Sequence, residues 1–196
     1  MTSEPPKKLA GLILAAGAAS RFGRPKQLAL INGLSLVAKT VRSIAPVCDA
    51  GVLVVTGAYH EAVATALASE PARCVYNPGW REGMAASIRQ GIAALAPEAD
   101  AVLLAVADQP GVDTRQYDAL ASAWRAAPEQ PAAAVYAGAP GVPAIFARDD
   151  WPRLTQLQGD RGARSLLRDA EALTGVPMPA ASWDIDRPAD LANGPA

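Results

Sequence analysis

The segments "LAGLILA" (9–15) and "ADAVLLAVA" (99–107) are almost unbroken apolar runs. They are too short to span a membrane as helices and too continuous for strands with one wet face. Runs of this kind fit strands covered by helices on both sides, which makes a largely parallel sheet the frame of the fold. The rest of the chain alternates in the same way. Strands are predicted at 9–15, 51–56, 73–76, 101–107, 132–136 and 142–147, with a weaker one at 175–178. Helices are predicted at about 35–45, 59–69, 84–96, 114–127 and 161–172, with a short terminal one at 188–193. The Pro-containing stretches "EPP", "APEQP" and "GAPGVP" read as an end and two loops, so the expectation is an α/β chain of one domain, 1–196.

In a doubly wound sheet, ligands gather beyond the carboxyl ends of the strands where the winding reverses. Directly after the two apolar runs come a cationic loop at 16–27 and "DQPGV" at 108–112, so one crevice can hold both. The composition, 51% hydrophobic and 19% charged with a net charge of −1, gives no global case for binding nucleic acid or a membrane. Any phosphate site must therefore be local. The apolar run near the N-terminus is interrupted by glycine and lacks a signal-peptide core, so a cytoplasmic protein is expected. Cys48 and Cys74 lie far apart with no CxxC spacing, which reads as two reduced thiols.

Within the cationic loop, Gly17 and the alanines beside it allow the main chain to approach an anion, and successive backbone N–H groups in such a turn form an anion-binding nest. Arg21 adds a planar fork of donors and Lys26 a mobile point charge, both read as exposed. That combination fits a triphosphate. The loop has neither the GxxxxGK[ST] of a P-loop nor the GxGxxG of a dinucleotide fold.

"LILAAGAASRFGRPKQL" resembles the LAAGxSxRxGxxK signature of nucleotidyltransferases. The likeness continues through "NPGWREGMAASIRQG" (77–91), "ADQP" (107–110), "GVPAIF" (141–146), "LQGDRGARSLL" (157–167) and "DIDRPADL" (184–191). Together these motifs look most like the molybdenum cofactor cytidylyltransferases, within the MobA-like NTP transferase superfamily. The resemblance implies a three-layer, Rossmann-like nucleotidyltransferase fold. It also implies an enzyme that transfers CMP from CTP to the phosphate of molybdopterin with release of pyrophosphate, using Mg2+, and a molybdoenzyme as a possible recipient of the product. Carried onto this chain, it makes Arg21, Lys26 and Asp108 catalytic and places Leu14, Ala15, Ala16, Gly17, Arg21, Lys26, Gly83, Met84 and Ser87 around the nucleotide. Gly83 would lie against the base, where lack of a side chain permits close approach. Val142, Asp160, Arg161 and Arg164 would meet the acceptor. A hard divalent ion needs one or two carboxylates plus substrate oxygens, and Asp108 and Asp186 are the expected pair.

Each assignment has a competing structural role. Asp108 can cap the turn before Pro110. Asp184 and Asp186 point to the same side of an extended segment, so either suits a metal, and either can cap a helix before "PADL". Ser87 reaches the sugar or phosphates, or faces solvent. Asp160, Arg161 and Arg164 serve an anionic acceptor or simply begin a helix. Trp80 reads as packing and His60 as a boundary residue. Ala16, where guanylyltransferase relatives usually carry a second glycine, favours CTP over GTP. Val142 stands where cytidylyltransferase relatives often have histidine, which leaves the acceptor open. Three other readings compete: a GTP-using or other-acceptor transferase, a non-catalytic cofactor-binding chaperone, and an NAD(P)H-dependent reductase on the same scaffold.

Overall fold

A computed structural model describes residues 7–192. Strand β1 (Leu9–Ala15) leads through a loop to a small hairpin, β2 (Leu30–Ile31) and β3 (Leu34–Ser35), and then to helix α1 (Leu36–Ile44). There follow β4 (Val52–Thr56), α2 (His60–Ala66), β5 (Arg73–Tyr76), α3 (Met84–Ala93), β6 (Ala101–Val106) and α4 (Thr114–Ala126). The last third holds β7 (Ala132–Tyr136), β8 (Ala139–Ala147), α5 (Trp151–Thr155), α6 (Arg164–Arg168) and β9 (Thr174–Pro177).

Seven strands form one sheet in the order β5-β4-β1-β6-β8-β7-β9, in which β8 alone runs antiparallel to its neighbours. This is the three-layer, largely parallel α/β architecture that the apolar runs demand. Successive residues of a strand face opposite sides, and the packing follows that rule. Leu9, Ile13, Val54 and Leu103 pack on one face with Val37 and Val41 of α1, Val63 of α2, and Tyr117, Leu120 and Trp124 of α4. Leu12, Val55, Leu104 and Phe146 pack on the other with Ile88 and Ile92 of α3, Trp151 and Leu154 of α5, and Leu167 of α6. Winding runs outward from β1 through β4 to β5, then returns to β6 on the other side of β1. The carboxyl ends of β1 and β6 therefore flank the reversal, and the cationic loop and Asp108 emerge side by side.

The structure departs from the sequence reading in the second half. "GAPGVP" is not a loop. β7 turns into β8 through Ala137 and Gly138, both at positive φ (49° and 75°), the backbone of a two-residue type I′ hairpin. The prolines are tolerated because β8 pairs with β6 only from Ala144 onward, and because the β7–β8 register shifts so that Val142 and Pro143 bulge out. The β2–β3 hairpin is likewise unpredicted, although its Asn32–Gly33 turn, again at positive φ, carries a readable signal. The helix expected at 161–172 shrinks to α6, because glycines at 159 and 162 keep the preceding segment out of helical geometry. α5 begins at the unpredicted Trp151–Pro152, with proline in the first turn, where its missing N–H costs nothing. The terminal helix is a 3-10 segment, Pro188–Ala192; residue 193 and "EPP" lie outside the described residues.

Both cysteines are free, and burial pushes the Cys48 thiol up to about 12. Among the described residues no helix is long and apolar enough to cross a membrane.

α4, which closes one face of the sheet beside the site, starts with a reciprocal cap. Asp113 Oδ1 accepts from the Gln116 amide at 3.2 Å, and Gln116 Oε1 accepts from the Asp113 amide at 2.9 Å. Asp113→Ala is expected to lower stability by about 1 kcal/mol, read as a reduced urea midpoint with an unchanged slope. An unchanged midpoint would show that the cap contributes nothing.

Candidate active site

The loop after β1 is held by groups that take its carbonyl oxygens. Gln27, only 3% exposed, donates from Nε2 to the carbonyls of Ala15 (3.1 Å) and Gly17 (2.7 Å). The Tyr59 hydroxyl donates to Ala18 O at 3.1 Å, and the Ala58 amide to Ala16 O at 3.1 Å. A Cβ on Gly57 would come 2.5 Å from Ala16 O and 2.7 Å from Trp80 Cβ, so glycine there lets the loop sit down on β4. Further along, Phe22 is buried in a small cluster with Ala29, Leu36 and Ile185, which fastens the loop to the C-terminal segment. With its carbonyls engaged from below, the loop brings two of its three cations, Arg21 and Lys26, to the cleft.

Lys26 is not an exposed cation. Its side chain is 18% exposed, and Nζ lies 2.6 Å from Asp108 Oδ2 and 3.1 Å from Asp186 Oδ1 while donating to Ile185 O at 3.0 Å. Burial by itself would lower the ammonium's pKa, but Asp108, Asp186 and Asp184 outweigh it and hold the group above its ordinary value. Arg21 is exposed at 74% and reaches Asp186 at 3.5 Å. The segments that carry the carboxylates are tied together through their main chain. Asp108 O accepts from the Ile185 amide at 2.9 Å, and Asp190 Oδ2 accepts from the amides of Asp186 (2.9 Å) and Arg187 (2.7 Å). The turn before "PADL" is thus held by Asp190, and Asp186 turns to the cations.

These groups border a cleft of about 600 Å³. Every residue read as nucleotide-binding lines it: Leu14, Ala15, Ala16, Gly17, Arg21, Lys26, Gly83, Met84 and Ser87, together with Asp108, Asp160 and Asp186. Ser87 does not face solvent; it is buried, and its Oγ accepts from Asn77 Nδ2 at 3.1 Å. Gly83, at φ 103°, has a different reason for being glycine than the one expected. A Cβ there would lie 2.5 Å from the Gly159 carbonyl carbon and oxygen and 2.6 Å from Asp160 Oδ1, so it is the 159–160 loop that makes the close approach. Trp80 packs on the core and also lines the cleft, with the Arg81 guanidinium 4.3 Å over its ring. Val142, Arg161 and Arg164 lie outside the cleft lining. Arg164 and the Val142 carbonyl join Tyr136 and Gln109 in an adjoining network, while Arg161 stands exposed on the loop before α6. His60 bonds Thr56 through Nδ1 (2.7 Å) and is not part of the lining. Gln27, Gln109 and Tyr136 escaped the sequence reading; the first two are immediate neighbours of Lys26 and Asp108, which is the signal that was available.

Among the described residues no three His, Cys, Asp or Glu side chains converge into a ready-made metal cage. The acidic side of the cleft is nonetheless crowded. The Asp184 carboxyl keeps a solvent-exposed face, but desolvation by its surroundings and the adjacent Asp108 push it up to about 7. Because an unfolded aspartate has a pKa of about 3.9, the folded state retains a proton that the unfolded chain releases between about pH 4 and 7. The stabilising contribution of this group is therefore complete below pH 4 and declines as pH rises through 7. Carbon-detected NMR should show Asp184 titrating near neutrality, with Asp108→Asn moving it down; titration near 4 in the parent protein would refute the crowding.

With this geometry in view, likeness to known proteins becomes informative. The MobA-like NTP transferase domain matches residues 11–174. Nicotine blue oxidoreductase of Paenarthrobacter nicotinovorans is 33% identical over 167 residues, covering 81% of this chain and 80% of that protein. The crystal structure of Rv0371c from Mycobacterium tuberculosis H37Rv superposes with a TM-score of 0.81 at 26% identity, covering 96% of this chain and 97% of that one. The manganese complex of Rv0371c superposes with a TM-score of 0.75 at 23% identity, covering 95% and 97%. The family match spans the loop after β1, Asp108 and every cleft-lining residue except Asp186, and the chain belongs to the MobA-like NTP transferase domain family.

Proposed function

We propose that this protein is a cytidylyltransferase that moves CMP from CTP to the phosphate of molybdopterin. The observation that carries the reading is the Lys26 ammonium, on the loop after β1, set against the carboxylates of Asp108 and Asp186. In the reaction, an acceptor phosphate oxygen attacks the α-phosphorus of CTP, the bond to the bridging oxygen breaks, and pyrophosphate leaves. Such chemistry needs positioning and charge neutralisation rather than a protein nucleophile. The loop amides and Arg21 hold the phosphates, and Lys26, already desolvated, meets the charge that develops on the leaving group. Asp108, with Asp186 or Asp184 as second carboxylate, offers the hard oxygen donors that Mg2+ prefers alongside substrate oxygens. Bound there, the ion would act as a Lewis acid on the phosphates. The manganese complex of Rv0371c supports a divalent site on this scaffold. Ala16 lines the cleft where guanylyltransferase relatives usually carry glycine, which favours CTP.

A second reading, an NAD(P)H-dependent reductase, is favoured by the name of the Paenarthrobacter nicotinovorans relative. One plate separates the two: pyrophosphate release from CTP, GTP, ATP and UTP with and without molybdopterin, beside NAD(P)H absorbance with a dye acceptor. Pyrophosphate is expected with CTP and molybdopterin together, and steady loss of NAD(P)H absorbance without it would overturn the transferase reading. Asp108→Asn should lower turnover by on the order of 10²-fold or more. Arg21→Ala should raise the KM for CTP while leaving the melting temperature of the free protein unchanged, because an exposed ion pair contributes roughly 0–1 kcal/mol. Full activity of both variants would remove these residues from the site.

A further inference from the structure

Beside the cleft, Gln109, Tyr136, Arg164 and the Val142 carbonyl close on one another. Gln109 follows Asp108 directly and is 6% exposed. The two N–H groups of its Nε2 are shared among Ala181 O (2.8 Å), Val142 O (3.2 Å) and the Tyr136 hydroxyl (3.3 Å). The Tyr136 hydroxyl donates to Val142 O at 3.0 Å and accepts from an Arg164 terminal nitrogen at 3.0 Å. A phenol has one proton and two lone pairs, and here the proton goes to Val142 while the lone pairs face Gln109 and Arg164. The Arg164 guanidinium also lies 5.6 Å from the centre of the Tyr136 ring. Space for this contact depends on Gly141, where a Cβ would stand 2.6 Å from the Tyr136 oxygen and 3.1 Å from the Arg164 nitrogen. Among the described residues Arg164 pairs with no carboxylate. It is an exposed guanidinium held at one corner, with its other N–H donors turned to solvent.

We propose that Tyr136, itself held by Gln109, is a positioning residue that fixes the Arg164 guanidinium as the contact for a phosphate-class anion on the acceptor substrate. The inference rests on the transferase reading and deepens it. Gln109 and Asp108 are consecutive, so the same short segment sets both the acceptor anion and the carboxylate of the reacting centre. Without the Tyr136 hydroxyl, Arg164 regains the freedom of an exposed arginine and must be ordered by the substrate at each binding event.

The test has two arms. In the first, the Arg164 Nε–H resonance of the 15N-labelled protein is followed as inorganic phosphate is added. The residue-specific signal separates this site from the triphosphate loop. The resonance should shift saturably, and Tyr136→Phe should weaken that response about tenfold, the effect of losing one hydrogen bond to a charged group. In the second arm, CMP transfer to molybdopterin is measured for Tyr136→Phe, Arg164→Lys and the double variant. Each single change should raise the KM for molybdopterin about tenfold with CTP affinity held within about twofold, and the double variant should be no worse than the worse single one. An Arg164 signal indifferent to phosphate, an unaltered Tyr136→Phe protein, or multiplicative effects in the double variant would each overturn the proposal. Should Tyr136→Phe melt early, Arg164→Lys and the phosphate titration of the parent protein still decide it. Absence of transfer by the parent protein, with the phosphate response intact, would remove the transferase reading and leave the anion contact standing.

Discussion

The 2.6 Å contact between Lys26 and Asp108 ties together three parts of the chain that are remote in sequence: the loop after β1, the loop after β6 and the 184–190 segment. Both partners are mostly removed from water, at 18% and 21% exposure. A half-buried pair of this kind is favourable only while both charges are present, because removing one leaves the other desolvated and unpaired. The parallel order of β1 and β6 makes the pair possible, since their carboxyl ends open on the same side of the sheet. The cleft is therefore neutralised from within. On the proposed transferase reading, an incoming triphosphate would compete for Lys26 with Asp108 and Asp186, and each carboxylate so displaced would be free to meet a cation.

Neutral amides do the remaining work of alignment. Gln27 and Gln109 occupy equivalent places, one residue after Lys26 and one residue after Asp108, and both are almost fully buried. Gln27 spreads its NH2 group over two carbonyls, at the end of β1 and in the loop after it, and Gln109 over oxygens of three separate segments, and in each the amide oxygen is buried with no protein partner among the described residues. Glutamine suits this role because it supplies two donors without charge. Glutamate at either position would set an anion against carbonyl oxygens that have no proton to offer. The charged residues that face the cleft thus stand on uncharged supports that face the core.

The apolar runs made the frame legible: β1, β5 and β7 begin and end where the alternation of the sequence changes. The hairpin at Ala137–Gly138 was hidden because alanine seldom takes positive φ, and prolines in β8 argue against a strand unless a bulge is already known. In the cleft, residue types identified which side chains gather but not how they pair. Alternation placed Asp184 and Asp186 on one side, yet only tertiary packing sets Asp186 on the cations and Asp184 beside Asp108. Lys26 looked exposed for the same reason: nothing in "GRPKQL" says that Asp108 and Ile185 close over it. Gly83 was legible as a special glycine, while the reason for it lay some 75 residues away.

Likeness to both a transferase family and a protein named as an oxidoreductase concentrates the functional question on one half of the cleft. A fold hosts many chemistries, and the site decides among them. The cationic half does not decide, because a dinucleotide also carries phosphates that Arg21, Lys26 and the loop amides would welcome. The acidic half does. Hydride transfer gains nothing from carboxylates gathered against a lysine, whereas transfer of a nucleotidyl group passes through a crowded polyanion that a carboxylate-held cation neutralises. Gathering carboxylates here burdens the folded protein, since desolvation first and the neighbouring Asp108 charge second push the Asp184 carboxyl up. That cost has a chemical use in phosphate transfer and none in dye reduction, so the weight of the site falls on the transferase side.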